Sequence, residues 1–582
     1  MLHPNGRPMS PKLVEAVESN THPTESQEEL GQGNFVASDW RQAWWTYQSP
    51  PDNPALIDDT NGHAQYEVKE IDGILPLDLA GTLYRNGPGK FGVNGQRVAH
   101  VLDADGLVLK ITIPVHNDQK QRTVTVQSRF IETIDFQNEK INDQFMTRGT
   151  FGTGPMGSTV GAGLNEDPAA PSMWTKLVHR AFKVDIKNTA NTQVIAFGGK
   201  VLALFEAGLP YRLDPVTLET IGEDDMAGTL PQGNKLAVRA SSAPTLDFLG
   251  GAAHTAHPNI CPRTGNLVGW SWTQLPQEGS LEVTIREWSP DDFSLIASCT
   301  YTIPDCDLAP HDMALTENYV VFLVNALEMN TLEFLSGLKG PAESLKMDGR
   351  KPVKAWILPR PTSCKVQEPR VVDNVPPCFS IHMSHAYEND DDDTIVVYFS
   401  GWPPSDSTDF LGAWGGFCPL FHQIPPTFLW RLVLSSDDAP TLTTVCPTLC
   451  AEHPVVHPLM TQPKYSYAVV SNNVGDSSPP CGYARVQVDM MGESSEQYWF
   501  GSRYFCGEPL VVPKMGRVDE DGAYLLGMVQ DSVRQLSFVA IFDLEQSLSL
   551  GPVCKIWLQS AVPHGLHGCF DPGSNARTSY FC

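Results

Sequence analysis

From Tyr66 onward the chain breaks into short apolar runs separated by Gly, Pro, Asn and Asp, and almost no stretch carries the period of an amphipathic helix. The clearest unit is Val194-Ile195-Ala196-Phe197, then Gly198-Gly199, then Lys200-Val201-Leu202-Ala203-Leu204-Phe205. Paired glycines supply the positive φ that a primed two-residue turn demands, so this spacing predicts a hairpin. Further strands are predicted over 319–324, 394–399, 523–529 and 537–543. Antiparallel strands without alternating helices must dispose of their open edges, and closure or radial repetition does so most economically. The predicted fold class is therefore all-β, with a β-propeller as the best fit. Its axis would let residues far apart in sequence converge, because the innermost strand of each blade begins beside the central channel. No repeat is crisp enough to count blades from spacing.

Hydrophobic content of 41% with 18% charged residues over 582 positions describes a globular chain with a large core. Residues 1–36 are the exception. They are polar, bear Pro4, Pro8 and Pro11, and read as a disordered arm without a signal-peptide or transit-peptide pattern. Trp40, Trp44 and Trp45 then anchor a segment on the body, so 37–582 is predicted to be one propeller domain. No apolar run approaches the roughly 20 residues of a spanning helix. A net charge of −27 opposes phosphate backbones and anionic surfaces, which argues against a nucleic-acid partner. All 13 cysteines fall at or after Cys261 without a C-x-x-C pair, so neither a disulfide framework nor a thiolate zinc site is indicated. Reduced thiols in a cytoplasmic setting fit better.

Three short histidine pairs stand out: His254-Thr255-Ala256-His257, His382-Met383-Ser384-His385 and His564-Gly565-Leu566-His567, with a single His311 in Pro310-His311-Asp312. They hold seven of the 16 histidines. Pro258 follows the first pair and Gly565 and Gly568 flank the third, so turns or strand ends are expected rather than helices. If each pair sends one imidazole inward, four widely separated histidines reach one centre, which suggests a metal bound by nitrogen alone. The acidic run 388–393 lacks the spaced oxygens and Gly of a calcium loop and reads as a turn.

These residues together resemble the carotenoid cleavage oxygenase family over about 75–570. Leu83-Tyr84-Arg85-Asn86-Gly87-Pro88 is similar to the family's "RNGP" stretch and 100–106 to its "FDGDG". The 187–192 and 202–208 segments are similar to "NTN" and "LALWE.G". The resemblance implies a seven-bladed propeller with a cap of loops and short helices and with Fe(2+) on its axis. It places iron ligands at His257 in "TAHP", His311 in "HDMALTENYVVF", His382 in "FSIHMSHAYE" and His567 in "PHGLHG", and gives His254, His385 and His564 no metal role. The chain departs from the family by carrying His385 where Asn is usual. Supporting carboxylates are implied at Glu206, Glu452 and Glu508, with Glu388 as the alternative to Glu452. Each would accept Nδ1–H from a ligating imidazole and turn Nε2 to the metal. His257 is the ligand left without one.

Four neutral imidazoles leave two octahedral positions open, and redox-active iron suits O2 chemistry where zinc does not. The implied reaction inserts O2 across a carbon–carbon double bond of a carotenoid or apocarotenoid, with the protein positioning an apolar polyene and excluding water. Stilbene cleavage is an alternative. Relatives with that activity carry a Lys where this chain has Thr150, which cannot supply the cation. A retinoid isomerohydrolase and a non-catalytic propeller are further alternatives. The 326–338 stretch places Leu327, Thr331, Phe334, Leu335 and Leu338 on one helical face and is expected to make a peripheral membrane contact beside the substrate entrance.

Overall fold

The computed structural model describes residues 35, 37–45, 47–50, 52–115, 122–155, 186–230, 252–275, 278–306, 308–336, 339–365, 368–389, 393–405, 408–409, 424–471, 478–489 and 494–573. All of the predicted arm except Phe35 lies outside them, as does Leu338 of the predicted membrane stretch.

Seven antiparallel sheets of four or five strands form the seven blades of a propeller. Blade 1 contains Gly81–Lys90 and Asp105–Ile113, and blade 2 contains Gln193–Phe197 and Lys200–Leu204. Blade 3 is built on Leu267–Leu275, blade 4 on Tyr319–Val324, blade 5 on Phe379–Asn389 and Thr394–Trp402, blade 6 on Cys450–Val455 and Tyr465–Ser471, and blade 7 on Tyr504–Pro513 and Ala523–Asp531. The ring closes because Gly568–Asp571, from the far end of the sequence, pairs with Gly81–Lys90. The predicted hairpin is present, with Gly198 and Gly199 at φ 52° and 79°.

The continuous apolar strands follow from this arrangement. In Tyr319–Val324, side chains alternate between faces, so Tyr319, Val321 and Leu323 pack toward blade 5 while Val320 and Phe322 pack toward blade 3. A strand covered on both faces has no polar side to show. Each neighbouring pair of blades encloses such a cluster, and full burial of one Val, Leu or Phe stabilises by about 1.5–3 kcal/mol.

Two peripheral segments were read from sequence. Trp40 and Trp44 are buried in the helix Ala37–Trp45, which docks against Val101 and Phe505. The 326–338 stretch is not one helix, which corrects the expectation. Leu327–Met329 is a strand paired with Leu345–Met347, and the helix spans only Thr331–Leu335. The Asn330 side chain accepts from Glu333 N–H and starts that helix afresh, which the apolar spacing alone could not reveal. Leu332 is 79% exposed, whereas Phe334 lies under the Arg148 guanidinium.

Candidate metal centre

The innermost strands converge at the axis, and several are broken there. Register shifts fall between Ser380 and His385, between Glu452 and Val455, and between Cys506 and Pro509. The inner segment of blade 3 is interrupted between Ala253–His254 and Asn259–Ile260. Bulges re-aim side chains that strict alternation would send into the blade cores. Each blade contributes one residue to the convergence: His567 from blade 1, Glu206 from 2, His257 from 3, His311 from 4, His382 from 5, Glu452 from 6 and Glu508 from 7.

The four histidines singled out in the sequence come together. The His257 ring lies 4.5 Å from His311, 5.4 Å from His382 and 4.7 Å from His567, centroid to centroid. His382 lies 5.0 Å from His311 and 4.9 Å from His567. Three carboxylates stand behind them. Glu452 Oε1 is 2.6 Å from His382 Nδ1, Glu508 Oε1 is 2.8 Å from His567 Nδ1, and Glu206 Oε1 meets His311 Nδ1. His257 has no carboxylate at Nδ1, and its buried Nε2 makes no hydrogen bond, with Glu206 Oε1 3.9 Å away. The alternative carboxylate, Glu388, is elsewhere. It accepts from Thr316 and Asn318 and pairs with Lys365 at 3.0 Å.

Electrostatics separate these groups. Burial, the largest influence on Glu508, pushes its carboxyl up, yet His567 and Arg85 together hold it at about 2. Glu452 is also buried and is held well below the carboxylate range, chiefly by His382. Against its own burial, His382 is raised to about 9 by Glu452. His257 is pushed well down by burial and by the neighbouring imidazoles.

The residues fit a metal on their own chemistry. An ionised carboxylate only accepts, so each Nδ1 facing one carries a proton, and Nε2 is the nitrogen left to a metal, which at His382 must displace a second proton. His311 Nε2 and His382 Nε2 are 3.2 Å apart. Two lone pairs at that distance repel unless a cation, either a proton or a metal ion, sits against them. The separation is close to the edge of an octahedron whose metal–nitrogen bonds are about 2.1 Å.

The partner of each pair lies outside this centre. His254 Nδ1 is 2.8 Å from the Thr255 carbonyl, His385 stacks on Tyr398 at 4.5 Å, and His564 sits between Trp40 and Trp44. Burial lowers each of the three to about 3.

Four residues were not given a role from sequence. Arg85 Nη1 donates to Glu508 Oε2 at 2.9 Å, and Arg85 Nη2 donates to the Leu566 carbonyl. Ser400 Oγ donates to Glu452 Oε1 at 2.8 Å. Asp312 accepts from Met383 N–H at 2.7 Å, tying the His311 turn to the His382 strand; burial raises it to about 6. His453 lies with its ring 4.7 Å from His382 and 5.0 Å from His567. One nitrogen from each of His257, His311 and His382 falls within 4.8 Å of the others, and so does one from each of His382, His453 and His567. The "RNGP" stretch was the available signal for Arg85 and "HDMALTENYVVF" for Asp312; Ser400 and His453 carried none.

Comparison with known proteins agrees with this geometry. The family model of the retinal pigment epithelial membrane protein matches residues 59–572. Apocarotenoid-15,15'-oxygenase of Synechocystis sp. is 28% identical, over 92% of this chain and 97% of its own length. The chloroplastic carotenoid cleavage dioxygenase 7 of Oryza sativa subsp. japonica is 26% identical, over 86% of this chain and 87% of its own. The crystal structure of the cobalt-substituted Synechocystis apocarotenoid oxygenase superposes with a TM-score of 0.75 at 26% identity, covering 93% of this chain and 99% of that one.

Proposed function

This chain belongs to the retinal pigment epithelial membrane protein family, and from that premise we propose that it is a ferrous-iron dioxygenase that cleaves a carbon–carbon double bond of a carotenoid or apocarotenoid. His257, His311, His382 and His567 hold the iron, and Glu206, Glu452 and Glu508 orient His311, His382 and His567. The observation that carries this reading is the pair of Nε2 atoms 3.2 Å apart, each on a ring whose Nδ1 faces a carboxylate. No zinc-type thiolate stands among these groups.

Ferrous iron in this nitrogen set supplies electron exchange with O2. The chain's own residues supply the rest. Each carboxylate keeps a proton on Nδ1 and so fixes the tautomer of its imidazole. Glu452 is itself held by Ser400, and Glu508 by Arg85. Both oxygen atoms enter the product, one on each carbon of the broken double bond, so no external reductant and no general acid is required. The strand that carries His382 also carries Phe379 and Ile381 of an apolar cluster: Phe379 stacks on Trp402 at 5.0 Å, with Leu327 and Met347 beside them. This cluster supports an apolar approach for a polyene. The exposed Leu332 supports a peripheral membrane contact through the 330–336 segment.

Anaerobic loading with Fe(II), followed by isotope-labelled O2 and a panel of carotenoids, apocarotenals and stilbenes, tests the reading. Two carbonyl products, each carrying one labelled oxygen, are expected from a carotenoid or apocarotenal. Turnover of stilbenes alone, or products without label, would overturn it. In liposome flotation, Leu332→Asp is expected to weaken retention on neutral vesicles in a salt-independent way, and equal flotation of the variant would remove this contact.

A further inference from the structure

Blade 6 brings two consecutive side chains, Glu452 and His453, against the histidines at the axis. In a regular strand Glu452 and His453 would point to opposite faces. Here the register shift between Glu452 and Val455 and the left-handed backbone of His453, φ 50°, turn both inward. A non-glycine residue held in that region costs on the order of 1–3 kcal/mol, so the surrounding structure imposes the position.

The ring of His453 lies in the gap between His382 and His567. It is near-parallel to His382, at 23° and 4.7 Å, and steeply inclined to His567, at 69° and 5.0 Å. Both His382 and His453 lie against the same carboxylate: His382 Nδ1 is hydrogen-bonded to Glu452 Oε1 at 2.6 Å, and His453 Nε2 lies 3.2 Å from Glu452 Oε2, near enough for charge attraction although the two make no hydrogen bond. The negative carboxylate beside Nε2 favours the proton on that nitrogen and leaves the lone pair on Nδ1. Nδ1 is buried with no hydrogen-bond partner. An unpartnered acceptor in the interior costs about 1–3 kcal/mol unless something meets it. The donor nitrogens of His382, His453 and His567 already lie within 4.8 Å of one another.

We propose that His453 is a fifth imidazole of the metal centre, with Nε2 turned toward Glu452 and the lone pair of the buried, unpartnered Nδ1 offered to the bound metal. This rests on the metal-centre reading above and narrows it. With five nitrogens, one octahedral position is left for an exogenous ligand rather than two.

The test uses full-length protein loaded with Co(II) alone, with histidine labelled for paramagnetic NMR. His453→Phe keeps a ring against His382 but removes both nitrogens, and His385→Phe, away from the centre, is the control. Wild type is expected to show hyperfine-shifted imidazole N–H signals from five rings. His453→Phe should show four, a changed visible cobalt spectrum and at least about tenfold weaker cobalt binding. Circular dichroism on both variants verifies folding. His453→Gln retains a donor for Glu452, so full recovery of affinity and spectrum in that variant would mean that His453 acts only through Glu452, and would overturn the proposal. So would four ring signals in wild type, or an unchanged spectrum in His453→Phe. Failure of wild type to bind cobalt at all would overturn the metal-centre reading and this proposal with it.

Discussion

Two of the three carboxylate–imidazole units at the axis sit in opposite surroundings. At the corner where the propeller closes, the His567 and Glu508 side chains are 7% and 11% exposed. Glu508 there accepts from His567, from Arg85 and from Gly568 N–H. At the corner of blades 2 and 4, the His311 and Glu206 side chains are 35% and 40% exposed, and among the described residues no guanidinium pairs with the carboxylate. A buried carboxylate without compensation would be driven neutral, so the closed corner needs Arg85. The half-exposed corner leaves its carboxylate in contact with solvent. The difference teaches that one side of the centre is built as a buried anchor and the other is left partly open.

Stability separates the corners most sharply. Removing the cation in Arg85→Met strands a buried Glu508 and is expected to cost about 3–5 kcal/mol in denaturant unfolding of metal-free protein. Glu206→Ala removes a partly hydrated charge and should cost within about 1 kcal/mol. Equal losses would break the comparison. Metal affinity is the next scale. Glu508→Gln is expected to weaken cobalt binding by about 10–100-fold, and Glu206→Gln to fall at or below the lower end of that range by titration. A larger effect from Glu206→Gln would reverse the ranking of the buried and the open corner.

A smaller effect concerns protons. Glu452 raises His382 to about 9 in the metal-free protein, so below that pH His382 holds a proton which a metal must displace. Affinity therefore rises with pH up to about 9, by roughly tenfold per unit while one proton is released. In Glu452→Gln the proton is no longer held, and the slope between neutral pH and 9 should flatten. An unchanged slope would show that the displaced proton belongs elsewhere.

The strands were legible because each blade is covered on both sides: apolar runs such as 319–324 and 523–529, cut by turn residues, map onto Tyr319–Val324 and Ala523–Asp531. Motif spacing brought the three histidine pairs and His311 to notice, the resemblance chose His257, His382 and His567 within the pairs, and the structure gathers these four. The number of blades came from the resemblance, since no repeat displayed it. His453 was hidden for a physical reason. Alternation predicts that it faces away from Glu452, and only a left-handed residue in a bulge brings both to the axis. The roles of Ser400 and Asp312 were hidden because their partners lie across blade boundaries, at separations of 52 and 71 residues. The 326–338 stretch misled because an apolar spacing shared by a strand and a short capped helix mimics one longer helix.

The central claim, that imidazoles from four blades hold one iron, is tested most directly by iron content per chain after anaerobic Fe(II) loading and desalting. Wild type is expected to retain one iron, as are His254→Ala and His385→Ala. His257→Ala, His311→Ala, His382→Ala and His567→Ala should each retain far less while keeping the circular dichroism of the folded protein. Undiminished iron in folded His382→Ala and His567→Ala would contradict the account.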